Sequence, residues 1–326
     1  MKRRTFSAYG LRVRSPFELP VFDSPAGSTP EPYGADLTLR LVDDAEIAAH
    51  WSAASGVPAW QTMFPSHCHV RVERGWAGDH LLTFGRKATF HLDSNGRALL
   101  CSPAVEGIEW QRFLLDTVLY CVSLLRGFEA LHASAVCVED RVVAVVAAPG
   151  GGKSTFAAEL VRRGHSLFAD DVLALSRRGG GVLAHPGPPL MTLPAAAGAV
   201  EAVGERLAEL GDDGLCWVRV GRTCEEPRPV AAAFILDRHQ GEGLQRLREG
   251  APGRLLPHML SLDRDPARAL ARFGLLRRLA EDAPVYRLCT PLGDVAELAA
   301  IVERELDDPQ TSKRAVSSAM HHARAA

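Results

Sequence analysis

Apolar and polar residues alternate through much of residues 5–102. The spans 35–42 (ADLTLRLV), 69–73 and 81–92 carry apolar side chains at about every second position, the period of half-buried antiparallel strands. Ser94, Asn95 and Gly96 separate ATFHLD from RALLCS and predict a hairpin, because Asn-Gly accepts the positive backbone angles of a tight turn. Proline and glycine punctuate residues 16–34 as a loop-rich entry. From residue 103 to 128 the period lengthens. Ile108, Phe113, Leu114, Val118, Cys121, Leu124 and Leu125 fall near helical spacing and predict one long linking helix, with Gly127 near its end. A β-rich N-terminal domain is therefore expected over residues 1–102, and a second domain, opened by that helix, over residues 103–306.

The second domain reads as strands interleaved with helices. Residues 131–138 (LHASAVCV) form a strand, with a turn at Glu139 and Asp140. Residues 142–175 then run as a buried apolar strand, a glycine-rich turn, a short amphipathic helix closed by Gly164, and a strand that reaches Asp170 and Asp171. GGGV and AHPGPPL suggest a turn and a return strand. Residues 195–210, which include Glu201, read as a helix, and 216–221 and 229–236 as strands. The arginine-rich stretch 252–280 has helical period, with Leu255, Leu256, Met259, Leu260, Leu270, Phe273, Leu276 and Leu279 as expected core positions. A strand at 285–288 and a helix at 294–306 follow. Beyond Asp307 the periodicity ends, and a disordered tail over 307–326 is expected, with His321 and His322 incidental. The fold class is α/β, α+β overall.

Composition narrows the function. A hydrophobic content of 47% with a net charge of −2 describes a globular chain and argues against a general nucleic-acid or membrane-surface binder. No apolar run approaches the roughly eighteen residues of a membrane span, and residues 1–14 lack an apolar core, so a cytoplasmic location is expected. Seven cysteines without a C-x-x-C pair fit reduced thiols buried as small hydrophobes. His67, Cys68 and His69 could suggest a metal site. Without a third or fourth ligand at recognisable spacing they read as a polar strand face.

The chemistry concentrates in residues 149–155 (PGGGKST). Gly150, Gly151 and Gly152 let the backbone turn with its amides inward, and the helix that follows offers unbonded amides and a positive dipole end to the same anion. Together with Pro149 and Thr155 they form a nucleotide-binding loop, with Lys153 placed to reach the β and γ phosphates of ATP and the Ser154 hydroxyl to ligate Mg2+. Ala147 stands where G-x-x-x-x-G-K-[ST] has its first glycine. The chain has four lysines against thirty-three arginines, so a lysine between glycine and Ser-Thr, directly after a strand, is informative. Asp170 and Asp171 end the next strand, where adjacent carboxylates can divide metal holding from proton acceptance. Arg238, at the end of the strand over 229–236, is a further candidate phosphate contact.

The words LHASAV, GGGKST and RGHSLFADD, spanning His132 to Asp171, resemble the catalytic core of bacterial HPr kinase/phosphorylase. They are especially similar to the shorter HPr-kinase-related proteins, some of which serve as tailoring kinases for lasso-peptide precursors. The resemblance implies a P-loop catalytic core, Asp171 as proton acceptor, Asp170 as its companion near the metal, and His132 beside the γ-phosphate. His165 also matches and reads as structural, tying the helix end to the next strand. The family's downstream magnesium-binding glutamate and arginine have no assigned counterpart.

The expected activity is transfer of the γ-phosphoryl group of ATP, with Mg2+, to a serine hydroxyl of a small protein or peptide. A kinase for a free hydroxyl-bearing metabolite and a non-catalytic nucleotide-binding regulator remain as alternatives. A homo-oligomer stays open, and no nucleic-acid or membrane partner is expected.

Overall fold

The structure is a computed structural model that describes residues 4–22, 36–51, 57–63, 69–139, 141–195, 200–210, 214–237, 243–262, 265–289 and 295–307. The chain divides into two compact units, Met1–Gly127 with Ser261–Asp263, and Phe128–Leu260 with Arg264–Ala326.

In the first unit eight strands form one sheet in the order β1-β2-β3-β8-β7-β6-β5-β4. They are β1 (Arg4–Ala8), β2 (Leu11–Ser15), β3 (Leu37–Leu41), β4 (Val57–Met63), β5 (His69–Arg74), β6 (His80–Phe84), β7 (Ala88–Leu92) and β8 (Ala98–Pro103). The alternating stretch 81–92 is thus two strands, turned at Gly85, with the Lys87 amide donating to the Phe84 carbonyl at 2.9 Å. The hairpin at Asn95-Gly96 is present between β7 and β8, and the Asp93 carboxylate accepts from the Arg97 and Ala98 amides. Helix α1 (Asp44–His50) is capped by Asp43. The predicted long helix is shorter than residues 103–128. It runs as α2 (Glu109–Phe113), a π-helical turn at Leu114–Val118, and α3 (Leu119–Leu125).

That helix packs with the N-terminal strands, so the boundary falls after Gly127 and not at 102. The packing explains why. Phe113 stacks on Phe84 with ring centroids 4.9 Å apart, and the Ser123 hydroxyl donates to the Tyr9 carbonyl at 2.7 Å. His67 and Cys68 lie outside the described residues.

In the second unit β9 (Glu129–Leu131), β10 (Ala133–Val138) and β11 (Arg141–Val146) precede α4 (Lys153–Arg162), followed by β12 (Ser166–Ala169), β13 (Leu173–Arg178), β14 (Gly181–His185) and β15 (Leu190–Pro194). Next come α5 (Val200–Val203), β16 (Gly204–Leu210), β17 (Leu215–Val220), β18 (Arg228–Asp237), β19 (Gly243–Leu247), α6 (Ala251–Leu255), β20 (Met259–Leu260), α7 (Pro266–Asp282), β21 (Val285–Cys289) and α8 (Val295–Asp307). The main sheet runs β12-β10-β11-β18-β14-β13-β9-β20, and β21 pairs with β18 and β19. β18 pairs in parallel with β11 and with β21.

Parallel strands covered on both faces read as unbroken apolar runs, which is why VVAVV and PVAAAFIL carry no alternation. Val143 and Val145 face a core with Phe156 and Leu160 of α4 and Val302 of α8. Val142, Ala144 and Val146 face the other core, with Leu275, Leu276 and Leu279 of α7. Burying each of the valine, leucine and phenylalanine side chains contributes about 1.5–3 kcal/mol, so β11 is fixed from both sides and its C-terminal end is a firm base for the loop that leaves it.

Several elements differ from the sequence expectation. The predicted strand 131–138 is interrupted at His132, with β9 and β10 pairing different partners. The predicted helix 195–210 is mostly strand. α5 has four residues, and Gly204 then lets β16 approach β17 so closely that a Cβ there would lie 1.9 Å from the Arg219 carbonyl oxygen. Its charged residues, helical by propensity, form ion pairs on this edge strand, Glu205 with Arg219 of β17 and Arg206 with Glu209 along β16 itself. The 252–280 stretch divides into α6, β20 and α7, and Leu270 and Phe273 are exposed at 74% and 41% and not core. Residues 308–326 lie outside the described residues.

Candidate active site

The loop begins where β11 ends. Ala147 is buried, the Gly151 amide donates to the Ala148 carbonyl at 2.8 Å, and Gly150 and Gly152 have φ of 71° and 89°. A Cβ on Gly151 would sit 2.7 Å from both the Ala147 Cβ and the Ala148 carbonyl oxygen. The alanine at the usual first-glycine position is therefore accommodated because residue 151 has no side chain. Pro149 and Gly150 are exposed at the rim. Gly152 caps α4 in the left-handed conformation, and the Phe156 amide makes the first helical bond to its carbonyl at 2.9 Å. The amides of Lys153, Ser154 and Thr155 precede the first intrahelical bond, so they and the helix dipole present a positive end.

Lys153 is 6% exposed, and its Nζ lies 2.9 Å from His132 Nε2. An ammonium only donates, so Nε2 accepts and the His132 proton sits on Nδ1. Nδ1 then donates to the Asp171 backbone carbonyl at 3.0 Å, an oxygen that only accepts. The chain of donors assigns a neutral imidazole and one tautomer. Consistently, burial and then the Lys153 charge lower the His132 pKa below its ordinary value.

Asp170 and Asp171 lie at the turn between β12 and β13. Asp170 is partly buried. Its Oδ1 accepts from the Ser134 hydroxyl at 2.6 Å and its Oδ2 accepts from the Thr192 amide at 3.1 Å. Burial, and next the neighbouring Asp171, push the Asp170 pKa up to about 6 despite those donors. Asp171 is exposed, with φ of +62°, and the Val172 amide donates across it to the Asp170 carbonyl at 2.7 Å. A three-residue turn with positive φ at its centre is a rare, strained form outside glycine. It aims the Asp171 side chain to solvent and its carbonyl at His132.

His258 was not singled out from the sequence. Its carbonyl accepts from the His132 amide at 2.7 Å, and the Ala147 backbone lies close enough to its ring to act on its titration, which puts His258 beside the start of the loop. Burial, then His132 and Lys153, lower its pKa. In sequence it is a histidine in LLPHML, far from the loop, with no spacing to mark it.

Of the candidate residues, the structure brings together His132, Lys153, Ser154, Asp170 and Asp171, around the loop that carries Gly150, Gly151, Gly152 and Thr155. Arg238 lies outside the described residues. The neighbouring Asp237 is bound by Arg287, whose Nε donates to Oδ2 at 3.0 Å. His165 does close the end of α4, its amide donating to the Leu160 carbonyl at 3.1 Å. Its ring, however, meets Glu303 of α8 at 2.8 Å together with Arg163, so the side chain ties α4 to α8 and not to the next strand. No helix among the described residues is long and apolar enough to cross a membrane.

No protein-family model and no curated protein matches the chain. Among solved structures the chain is similar to the Hpr(Ser) kinase/phosphatase from Coxiella burnetii, at 14% identity and a TM-score of 0.31, covering 56% of this chain and 97% of that one. The agreement is loose.

Proposed function

We propose that the chain is an ATP-dependent phosphotransferase that carries the γ-phosphoryl group to a serine hydroxyl of a small protein or peptide. The observation that carries this reading is two neighbouring sets of groups: Lys153 bonded to neutral His132, His132 bonded to the Asp171 carbonyl, and Asp170 bonded to the Ser134 hydroxyl and the Thr192 amide. A glycine-rich anion loop needs none of the last three for binding alone.

The donor set fits Mg2+. Ser154 and Asp170 offer only oxygen, and Mg2+ takes one or two such protein ligands beside phosphate oxygens and water. When bound, the ion would neutralise phosphate charge as the γ-phosphoryl group departs. The chain's own residues do the rest. Loop amides and the Lys153 ammonium hold the phosphates, and His132 keeps that ammonium aimed because its lone pair points at Nζ. Asp171, exposed beside this set, accepts the proton of an incoming hydroxyl. Positioning and charge stabilisation suffice for this reaction, and no covalent nucleophile is required.

The test is incubation of the full chain with labelled ATP, Mg2+ and candidate peptides encoded beside its gene, with the modified residue read by mass spectrometry. Phosphoserine on a peptide supports the proposal. Phosphate on a free metabolite would move the acceptor class, and ATP bound without any transfer would favour a nucleotide-binding regulator.

A further inference from the structure

Ser134 is the one hydroxyl side chain in β10 (ASAVCV), a strand buried along its whole length, and it is 0% exposed. Side chains on a strand alternate between faces, so Ser134 points the same way as Val136 and Val138, toward the core that holds Val143, Val145 and Phe156 of α4. An alanine or valine there would serve the fold, as valine does at the next two positions on this face. Burying a hydroxyl costs free energy unless it is bonded, so its partner identifies its use.

Sheet register supplies that partner. β10 runs antiparallel to β12 with Ala135 opposite Ala169, and one step further the same register sets Ser134 opposite Asp170. The hydroxyl donates to Asp170 Oδ1 at 2.6 Å, within the short range of an O–H bond to a carboxylate, and the Thr192 amide of β15 donates to Oδ2 at 3.1 Å. Each carboxylate oxygen is thus held by a donor, and both donors come from strands and not from the phosphate loop. The Thr192 donor is backbone. Of these two holds on Asp170, only the one from Ser134 is set by the identity of a side chain.

We propose that Ser134 is the positioning residue of the Mg2+ site, fixing the rotation of the Asp170 carboxylate so that its remaining lone pairs are turned to the cation. The role deepens the phosphotransfer function proposed for the same site and rests on it. Mg2+ demands near-octahedral geometry with oxygens at about 2.0–2.1 Å, so a carboxylate free to rotate is a poorer ligand than one already turned. Groups that hydrogen-bond a metal's ligands typically carry about 10–100-fold of its affinity. Ser134, fully buried, acts through Asp170 and is not itself a ligand.

Calorimetric titration of ATP into the full chain, once with Mg2+ and once with EDTA, measures the gain in affinity that the metal supplies. Ser134→Ala should cut that gain about tenfold or more, while ATP affinity in EDTA changes by less than about twofold. Ser134→Thr keeps the hydroxyl and should keep most of the gain. Ser134→Val has the shape of threonine without the hydroxyl and should lose the gain as alanine does. In transfer assays Ser134→Ala and Ser134→Val should need more Mg2+ for half-saturation, with the KM for the acceptor unmoved. An undiminished metal gain in these two variants, or an equal loss of ATP affinity in EDTA, would overturn the role. If Ser134→Ala fails to fold, the threonine and valine pair decides the outcome. A native chain with no metal gain at all would instead remove the Mg2+ site itself, and with it the function on which the role depends.

Discussion

The Lys153 ammonium is bonded to a lone pair of His132, 2.9 Å away, and not to a carboxylate. A carboxylate would neutralise the lysine, but a neutral imidazole orients it and leaves its charge available to an anion. The price is sensitivity to acid, because a proton on Nε2 removes the acceptor and places a second cation beside the first.

That exchange sets a pH dependence. His132 and His258 both have pKa values lowered from 6.5, by burial first, so their neutral forms are favoured in the folded state. Stability from this source is complete above the unfolded value and is lost as pH falls through the lowered folded values. Nucleotide affinity, followed by fluorescence titration, is expected to drop on the acid side, and His132→Gln, whose amide oxygen can still accept from Lys153, should flatten the drop.

Asp170 has the opposite sign. Its folded pKa is raised to about 6 from 3.8, so its contribution to stability is present below the unfolded value and is lost as pH rises through about 6. Asp170→Asn should therefore raise the melting temperature at pH 8, by the equivalent of on the order of 1–3 kcal/mol, while abolishing transfer. Melting curves at pH 8 and pH 4 check this, and the gain should shrink at pH 4. Mg2+ should compete with the same proton, losing affinity about tenfold per pH unit below pH 6.

Asp171→Asn keeps the shape of the turn and removes the proton acceptor. Transfer should fall by about 10²–10⁴ with ATP binding nearly intact, whereas Lys153→Ala should lose much of both. Single-turnover rates and equilibrium binding measured on the same samples separate the two, and full activity in Asp171→Asn would remove the residue from the reaction.

The glycines should not be equivalent. Gly151→Ala drives a Cβ to 2.7 Å from Ala147 and the Ala148 carbonyl, so the loop must shift and nucleotide binding should be lost with the fold retained. At Gly150 an added Cβ meets nothing within 4 Å, and only its φ of +71° is unfavourable for alanine, at about 1–2 kcal/mol. Calorimetric ATP titration with circular dichroism as the folding control distinguishes the two variants.

The loop, the apolar strands and the aspartate pair were legible because each depends on neighbours in sequence. Glycines make the turn, valines fill both faces of β11, and Asp170 and Asp171 follow a strand that leaves the same helix. His258 was not legible, because its place beside Ala147 comes from sheet order, with β20 on β9 bringing a distant segment to the loop. The 204–210 strand was misread because Glu205, Arg206, Leu207 and Glu209 favour helices locally, and only pairing with β17 makes them a strand. Leu270 and Phe273 were misplaced because helical period gives a face and not what covers it. The N-terminal boundary was misjudged for a related reason, since a helix's sequence does not say which of two flanking cores receives it.

The backbone at residue 171 bears on how this chain could change over generations. A single-base change converts an aspartate codon to a glycine codon, and glycine is the residue that a φ of +62° favours. Local comfort and the proposed chemistry thus pull residue 171 toward different letters. A lineage released from the need for the carboxylate would be expected to drift to glycine there without cost to its fold, so the letter at this one position in related genes is a direct record of whether the site is still in use.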